Sequence, residues 1–336
     1  MKKYYIYIFL VLACVLFLRF NRQDLLIKNY VGIIGGDHHQ YYALVDFFRG
    51  QTPFWYADAP FNKRLLVPMI ASVLPFERGF AVNLTNALLL YIGFAAVFYA
   101  LTKAGISHRS VYISILLHII TFPVFYYSVI GFIDASLVGW MMLLIALILR
   151  EKYTSFSILL AVGVFLKESI IIILVCGVIY FLLTKNYKFA VITIILYSIA
   201  YLGHLHIMKL LNYGIPYNYS WVLDLSTLRS NLARPRTYFS FALSMYPSIL
   251  VYFWSISLFI KKFYKNEFKQ IAIFCLVGIT LTLILYAYSL FVAYSDGRFL
   301  YPAIAFSVVL LSINFKIALD NNLYPQITKY VVKFLK

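Results

Sequence analysis

The chain has 336 residues, of which 63% are hydrophobic and only 12% charged, and its mean hydropathy is +0.85. Water-soluble domains carry about 25% charged residues, so this composition excludes an ordinary soluble fold. The net charge of +17 invites a nucleic-acid partner, but the bases are scattered between apolar runs and form no separate basic helix or stripe, which argues against one.

In chain order, apolar runs near the ~20 residues that span a bilayer as helix recur from end to end. About ten are read, at 4–18, 80–101, 111–130, 132–149, 154–166, 169–183, 189–208, 238–260, 270–292 and 299–316. Backbone groups in lipid must be satisfied within the segment, and the alternating pattern of a β-barrel is absent. The expected class is therefore all-α: a polytopic membrane protein forming a single integral domain over 1–336. Its first outer loop would cover 19–79, its second 209–237, and its cytoplasmic tail 317–336. Met1-Lys2-Lys3 and the apolar residues after it resemble a secretory signal. The run continues past Cys14 to Leu18 without a small-x-small cleavage site, so an uncleaved first span is expected. Leu65 to Phe76 is apolar but short and carries Pro68 and Pro75, which suits a re-entrant or interfacial helix. Cys14, Cys176 and Cys275 fall within spans and match no metal or disulfide spacing.

Lysine and arginine set the orientation. With the N-terminus inside, Lys103, Arg109, Arg150, Lys152, Lys185, Lys188, Lys261, Lys262, Lys265 and Lys269 fall in cytoplasmic segments, and both termini are expected to be cytoplasmic. Nine of the twelve acids then fall on the outer side. Five of those (Asp24, Asp37, Asp46, Asp58 and Glu77) lie within residues 19–78. Ionisable groups concentrated on one face of a membrane protein point to chemistry or binding there.

Asp37 is the leading candidate. Gly35 and Gly36 let the backbone turn before it, and His38, His39, Gln40, Tyr41 and Tyr42 follow with hydrogen-bonding groups. Such a carboxylate can act as general base toward a hydroxyl or amine, or simply start the following helix. Adjacent histidines do not share a helix face, so His38 and His39 cannot both reach one ion on a regular helix. Asp37 with His39 can still supply part of a divalent-metal site. His204 and His206 are read as interfacial histidines. Lys63 and Arg64 precede the proline-flanked segment and can meet lipid phosphates, at the membrane surface or as a specific clamp. Arg229, Arg234, Arg236 and Arg298 are unexpected on the outer side; they either pair with outer acids or bind an anionic substrate. Asp134 opens one span, Asp296 precedes the last, and Lys167-Glu168 is a charged turn between two short spans that dips into a protein-lined cavity.

Taken in order, these elements resemble the GT-C superfamily of integral-membrane glycosyltransferases. The resemblance rests on Gly36-Asp37-His38-His39-Gln40-Tyr41-Tyr42, on Asn62-Lys63-Arg64-Leu65-Leu66-Val67-Pro68, on Phe165-Leu166-Lys167-Glu168-Ser169, and on Asp296-Gly297-Arg298-Phe299-Leu300-Tyr301-Pro302. It spans about 300 residues in layout, through short motifs. It implies transfer of a sugar from a polyprenyl-phosphate-linked donor to a glycan, lipid or protein acceptor on the outer face of the cell membrane. Asp37 would be the catalytic base. His38, His39, Gln40, Tyr42, Lys63, Arg64, Asp134, Lys167, Glu168, Arg234, Asp296 and Arg298 would bind substrate. The first loop lacks an Asp-x-Asp or Glu-x-Asp pair, which departs from the metal-dependent oligosaccharyltransferases, and no cofactor is firmly implied. A transporter or flippase of a lipid-linked or anionic substrate is the alternative, as is a polymerase of lipid-linked repeat units. A transporter would place polar groups near the midplane and on broken helices in both halves.

Overall fold

The structure is a computed structural model that describes residues 2–20, 37–52, 61–211, 223–292 and 297–323. All regular structure among these residues is helical, as expected. The helices are α1 (Lys2–Phe20), α2 (Asp37–Phe48), α3 (Leu66–Ser72), α4 (Arg78–Lys103), α5 (His108–Ile119), α6 (Phe122–Tyr127), α7 (Asp134–Leu149), α8 (Tyr153–Gly163), α9 (Ile171–Leu183), α10 (Tyr187–Leu211), α11 (Leu225–Leu232), α12 (Pro235–Ile260), α13 (Asn266–Val292) and α14 (Ala303–Asp320). Short 3-10 turns occupy Phe61–Lys63, Glu168–Ile170 and Gly297–Leu300.

Among the described residues, five segments are long and apolar enough to cross a bilayer: Arg78–Lys103, Tyr187–Leu210, Pro235–Ile260, Phe268–Val292 and Ala303–Asp320. Large apolar side chains lie bare on α10 (Val191, Ile194, Ile195, Ile199 and Leu202) and on α12 (Phe239, Leu250 and Phe253). Faces of that size are stable against hydrocarbon and not against water. The protein is a polytopic membrane protein whose partner on these faces is the lipid bilayer.

Two small residues set the centre of the body. Gly93 of α4 and Gly139 of α7 meet backbone to backbone, so a Cβ on Gly93 would collide with the Gly139 carbonyl, and one on Gly139 with the Leu89 carbonyl. Small residues at such crossings let helix backbones approach closely. Gly93→Ala is expected to cost about 1–3 kcal/mol by overpacking and to lower the melting temperature in detergent. Gly203→Ala on α10, where nothing lies within 4 Å, should leave melting unchanged or raise it, since alanine outranks glycine in a helix by about 1 kcal/mol.

One expected element is corrected. Residues 111–130 are not one continuous helix: α5 ends at Ile119, Ile120 caps it, and α6 restarts after Thr121 with a proline, Pro123, in its first turn. Proline cannot donate to the turn before it, so it ends one helix and suits the start of the next. The segment expected to hold a short helix before the second span does so as α3, which buries Leu66, Val67, Pro68 and Ala71. Its C-terminal end is tied down by Arg49, whose guanidinium donates to the carbonyls of Ser72 (3.2 Å), Leu74 (2.8 Å) and Phe76 (2.7 Å).

Candidate functional site

The site begins with a turn held by two asparagines. Asn83 and Asn86 lie three apart on α4, hence on one face, and both are fully buried. The Gly131 N–H donates to Asn83 Oδ1 at 2.9 Å, and Asn86 Nδ2 donates to the Phe132 carbonyl. Ser136 Oγ then donates to Asn86 Oδ1 at 2.5 Å. Gly131 has φ +79°, and a side chain there would strike His38 and Tyr42. This turn fixes where α7 starts, and Asp134 is its first residue. A carboxylate at a helix N-terminus is favoured by the backbone dipoles.

Asp134 is 2% exposed and joins two cations. The Lys167 ammonium donates to Oδ1, and Arg298 Nε lies 3.8 Å from Oδ2. The Arg298 guanidinium also stands 4.2 Å from the centre of the Phe132 ring, a cation–π contact. Beside this group, Arg64 pairs with Glu168, with Nη2 at 3.0 Å and Nε at 3.1 Å from Oε2, and its Nη1 donates to the Tyr41 hydroxyl at 2.8 Å. Two backbone features bring the halves together. The chain turns between the end of α8 and the start of α9, and the Leu66 N–H donates to the Phe165 carbonyl at 2.9 Å. Segments distant in sequence therefore meet at the α7 and α9 N-termini.

Burial opposes the Arg64 charge, but the Glu168 carboxylate and the Tyr41 hydroxyl outweigh it and raise the arginine above its ordinary value. Lys167 moves the other way: burial, with Arg64 and Arg298 nearby, lowers it despite Asp134. Glu168 keeps 49% of its side chain exposed while paired with Arg64. Burial acts to raise its carboxyl, but the charges of Arg64 and Lys167 outweigh that effect and hold it below the ordinary value. Among the described residues the cluster holds three cations (Arg64, Lys167, Arg298) and two carboxylates (Asp134, Glu168).

The structure thus joins Arg64, Asp134, Lys167, Glu168 and Arg298. Arg64 is buried, which rules out its reading as a residue that meets phosphates at the open membrane surface. Arg298 takes the acid-pairing role. Lys63 is half-buried at the edge of the cluster. Arg234 lies apart: it is exposed and lines a polar concavity of about 350 Å³ with Ser226, Thr227, Ser230 and Asn231. Arg229 and Arg236 are exposed as well.

The first-loop acids separate by role. Asp46 pairs with Arg78, and Glu77 caps α4 by accepting from the Phe80 N–H at 3.0 Å. Asp24, Asp58 and Asp296 lie outside the described residues. Asp37 is the first residue of α2, and its side chain also lies outside them. Its neighbours point toward the site: His38 and Tyr42 are buried against Gly131, and Tyr41 holds Arg64. His39 is exposed and Gln40 half-buried. The histidine rings lie 4.0 Å apart between centroids while differing in burial. Among the described residues no three His, Cys, Asp or Glu side chains gather as a metal site would need.

Sequence reasoning missed Asn83 and Asn86, and it gave Tyr41 only as one of the hydrogen-bonding groups after Asp37, without its partner Arg64. Two amides three apart within an apolar helix were the available signal, since polar groups at membrane depth face the protein interior. Tyr41→Phe is expected to cost about 0.5–1.5 kcal/mol, read as a lower melting temperature, because Arg64 keeps Glu168 while losing one acceptor.

No family model, characterised protein or solved structure matches the chain.

Proposed function

We propose that the protein is a membrane glycosyltransferase of the GT-C kind. It has about ten spans, both termini cytoplasmic and the reaction on the outer face. It takes a sugar from a polyprenyl-phosphate-linked donor. The observation that carries this reading is the clustering of Arg64, Asp134, Lys167, Glu168 and Arg298, with more positive than negative groups, at adjoining helix ends of an otherwise apolar body. A transporter would favour charged groups near the midplane; helix ends open to one side suit chemistry at a membrane surface.

In this reading Asp37 removes the proton from an acceptor hydroxyl as its oxygen attacks the anomeric carbon. The bond from that carbon to the donor phosphate oxygen breaks, and the electron pair leaves on the phosphate. The guanidinium of Arg64 stabilises the charge that collects there. Asp134 and Glu168 hold the cations in position, and Asp134 orients the sugar or acceptor through that scaffold. The test is transfer in proteoliposomes: labelled polyprenyl-phosphate sugar with a membrane glycan and lipid extract should give labelled acceptor. Movement of intact donor across the bilayer with no labelled acceptor would establish the transporter instead.

A further inference from the structure

The turn between α3 and α4 has its carbonyls satisfied by one side chain. Arg49, just past the end of α2, donates to four of them: from Nε to Ser72 at 3.2 Å, and from Nη2 to Ala71 (3.4 Å), Leu74 (2.8 Å) and Phe76 (2.7 Å). The Ser72 hydroxyl donates to the Met69 carbonyl at 2.7 Å, and the Glu77 carboxylate accepts from the Phe80 N–H at 3.0 Å. A helix end leaves four carbonyls without partners, and at a turn in water the solvent supplies them. Here the chain supplies them itself. Arg49 forms no ion pair among the described residues, although Asp46 lies three residues before it and pairs with Arg78.

Around that satisfied backbone the side chains are apolar and bare. Leu66, Val67, Pro68 and Ala71 of α3 are buried, while Met69 and Val73, one turn apart, are exposed, Val73 to 79%. Pro75, Phe76 and Phe80 are exposed beside them, and the two phenylalanine rings meet edge to face at 5.2 Å between centroids. Phe80 carries the patch onto α4, a helix long enough to cross the bilayer and bare again at Leu88 and Ile92. Glu77 and Arg78 are exposed between the two phenylalanines, and long charged side chains there can keep their heads in water. Lipid offers no partner to a carbonyl, so hydrocarbon demands both features at once, apolar side chains outside and paired backbone within. Water demands neither.

We infer that this corner, through Met69, Val73, Phe76 and Phe80, inserts into the lipid leaflet at the N-terminal end of α4, and that Arg49 is what lets its backbone leave water. Of the two forms the sequence allows for this segment, re-entrant and interfacial, this is the interfacial one. The seven residues of α3 make about 10 Å of helix, short of the ~15 Å depth of one hydrocarbon leaflet. Arg64 lies two residues before α3 and its partner Tyr41 on α2. The anchor therefore also sets the level at which the Arg64–Glu168 pair stands relative to the membrane surface. All of this follows from the membrane fold and makes no use of the transferase reading.

The experiment is nitroxide depth measurement on the full-length protein in lipid nanodiscs. The label is attached at Val73→Cys, with Cys14→Ala removing the exposed native thiol, and a second protein carries it at Gln51→Cys, an exposed site before the turn. Collisions with oxygen report lipid, and collisions with a nickel chelate report water. The Val73 label should lie about 5–10 Å into the headgroup–acyl boundary and favour oxygen, while the Gln51 label should favour nickel. A Val73 label as open to nickel as the Gln51 label would overturn the insertion. A Val73 label shielded from both colliders would overturn it too, because another part of the chain or a second copy would then cover the corner. Arg49→Met keeps the length of the side chain but has no donors, and it should move the Val73 label toward nickel. An unchanged depth in a folded Arg49→Met protein would remove the arginine from the anchor. The first comparison is made with Arg49 in place, so it holds whether or not Arg49→Met folds.

Discussion

Asp134→Asn is expected to destabilise the protein by about 3–5 kcal/mol, the cost of removing one partner from a buried ion pair. The change leaves Lys167 and Arg298 facing each other with Arg64 nearby and no carboxylate between them. Lys167 can shed its proton, because burial already lowers its affinity for it, while Arg298 cannot. The opposite change, Lys167→Met, should cost less, because Asp134 keeps Arg298 and the α7 N-terminus. The double variant should be more stable than the sum of the two losses, since residues in one charged network couple. Unfolding of the three variants by heat or by sodium dodecyl sulfate, followed by circular dichroism, reads this directly. Strict additivity would mean that Lys167 and Asp134 do not act as a pair.

Asp37→Asn is expected to lower sugar transfer by about 10²–10⁴-fold, the usual contribution of a positioned general base, with folding unchanged. Asparagine is as good as aspartate at starting a helix, so the local role of residue 37 at the head of α2 survives the change. The variant therefore separates the two readings of Asp37. Activity near wild type would make the residue a helix starter and would remove it from the chemistry. Asp37→Glu, which keeps the base but displaces it, should recover part of the rate. The melting temperature of all three proteins serves as the control for folding.

Much of this layout is legible in the sequence because membrane helices are written in long apolar runs. The helices at 78–103, 187–211, 235–260, 266–292 and 303–320 fall where those runs predict them. The break between α5 and α6 was missed because 111–130 reads as a mostly apolar run of span length; Pro123, two residues after Thr121, decides it. The charged turn at Lys167-Glu168 was readable as a dip into protein, because two charges between short apolar runs have nowhere else to go. Its partners were not readable. Nothing local links Lys167 to Asp134, or Arg64 to Glu168; those pairs depend on how segments distant in sequence pack together. Arg64 and Arg234 look alike as sequence, a cation near a proline, yet one is buried in an ion pair and the other lies on the surface. His204 illustrates the same limit: its burial comes with Phe165, which packs on its ring from another part of the chain.

The most direct test of the central claim is the chemical fate of the donor. Purified protein in proteoliposomes would be given polyprenyl-phosphate sugar labelled separately in lipid and sugar, together with an acceptor extract. The expected result is free polyprenyl phosphate and glycosylated acceptor appearing in equal amounts, with both lost in Asp37→Asn. Recovery of the donor intact, with its two labels still joined after it has crossed the bilayer, would contradict a transferase.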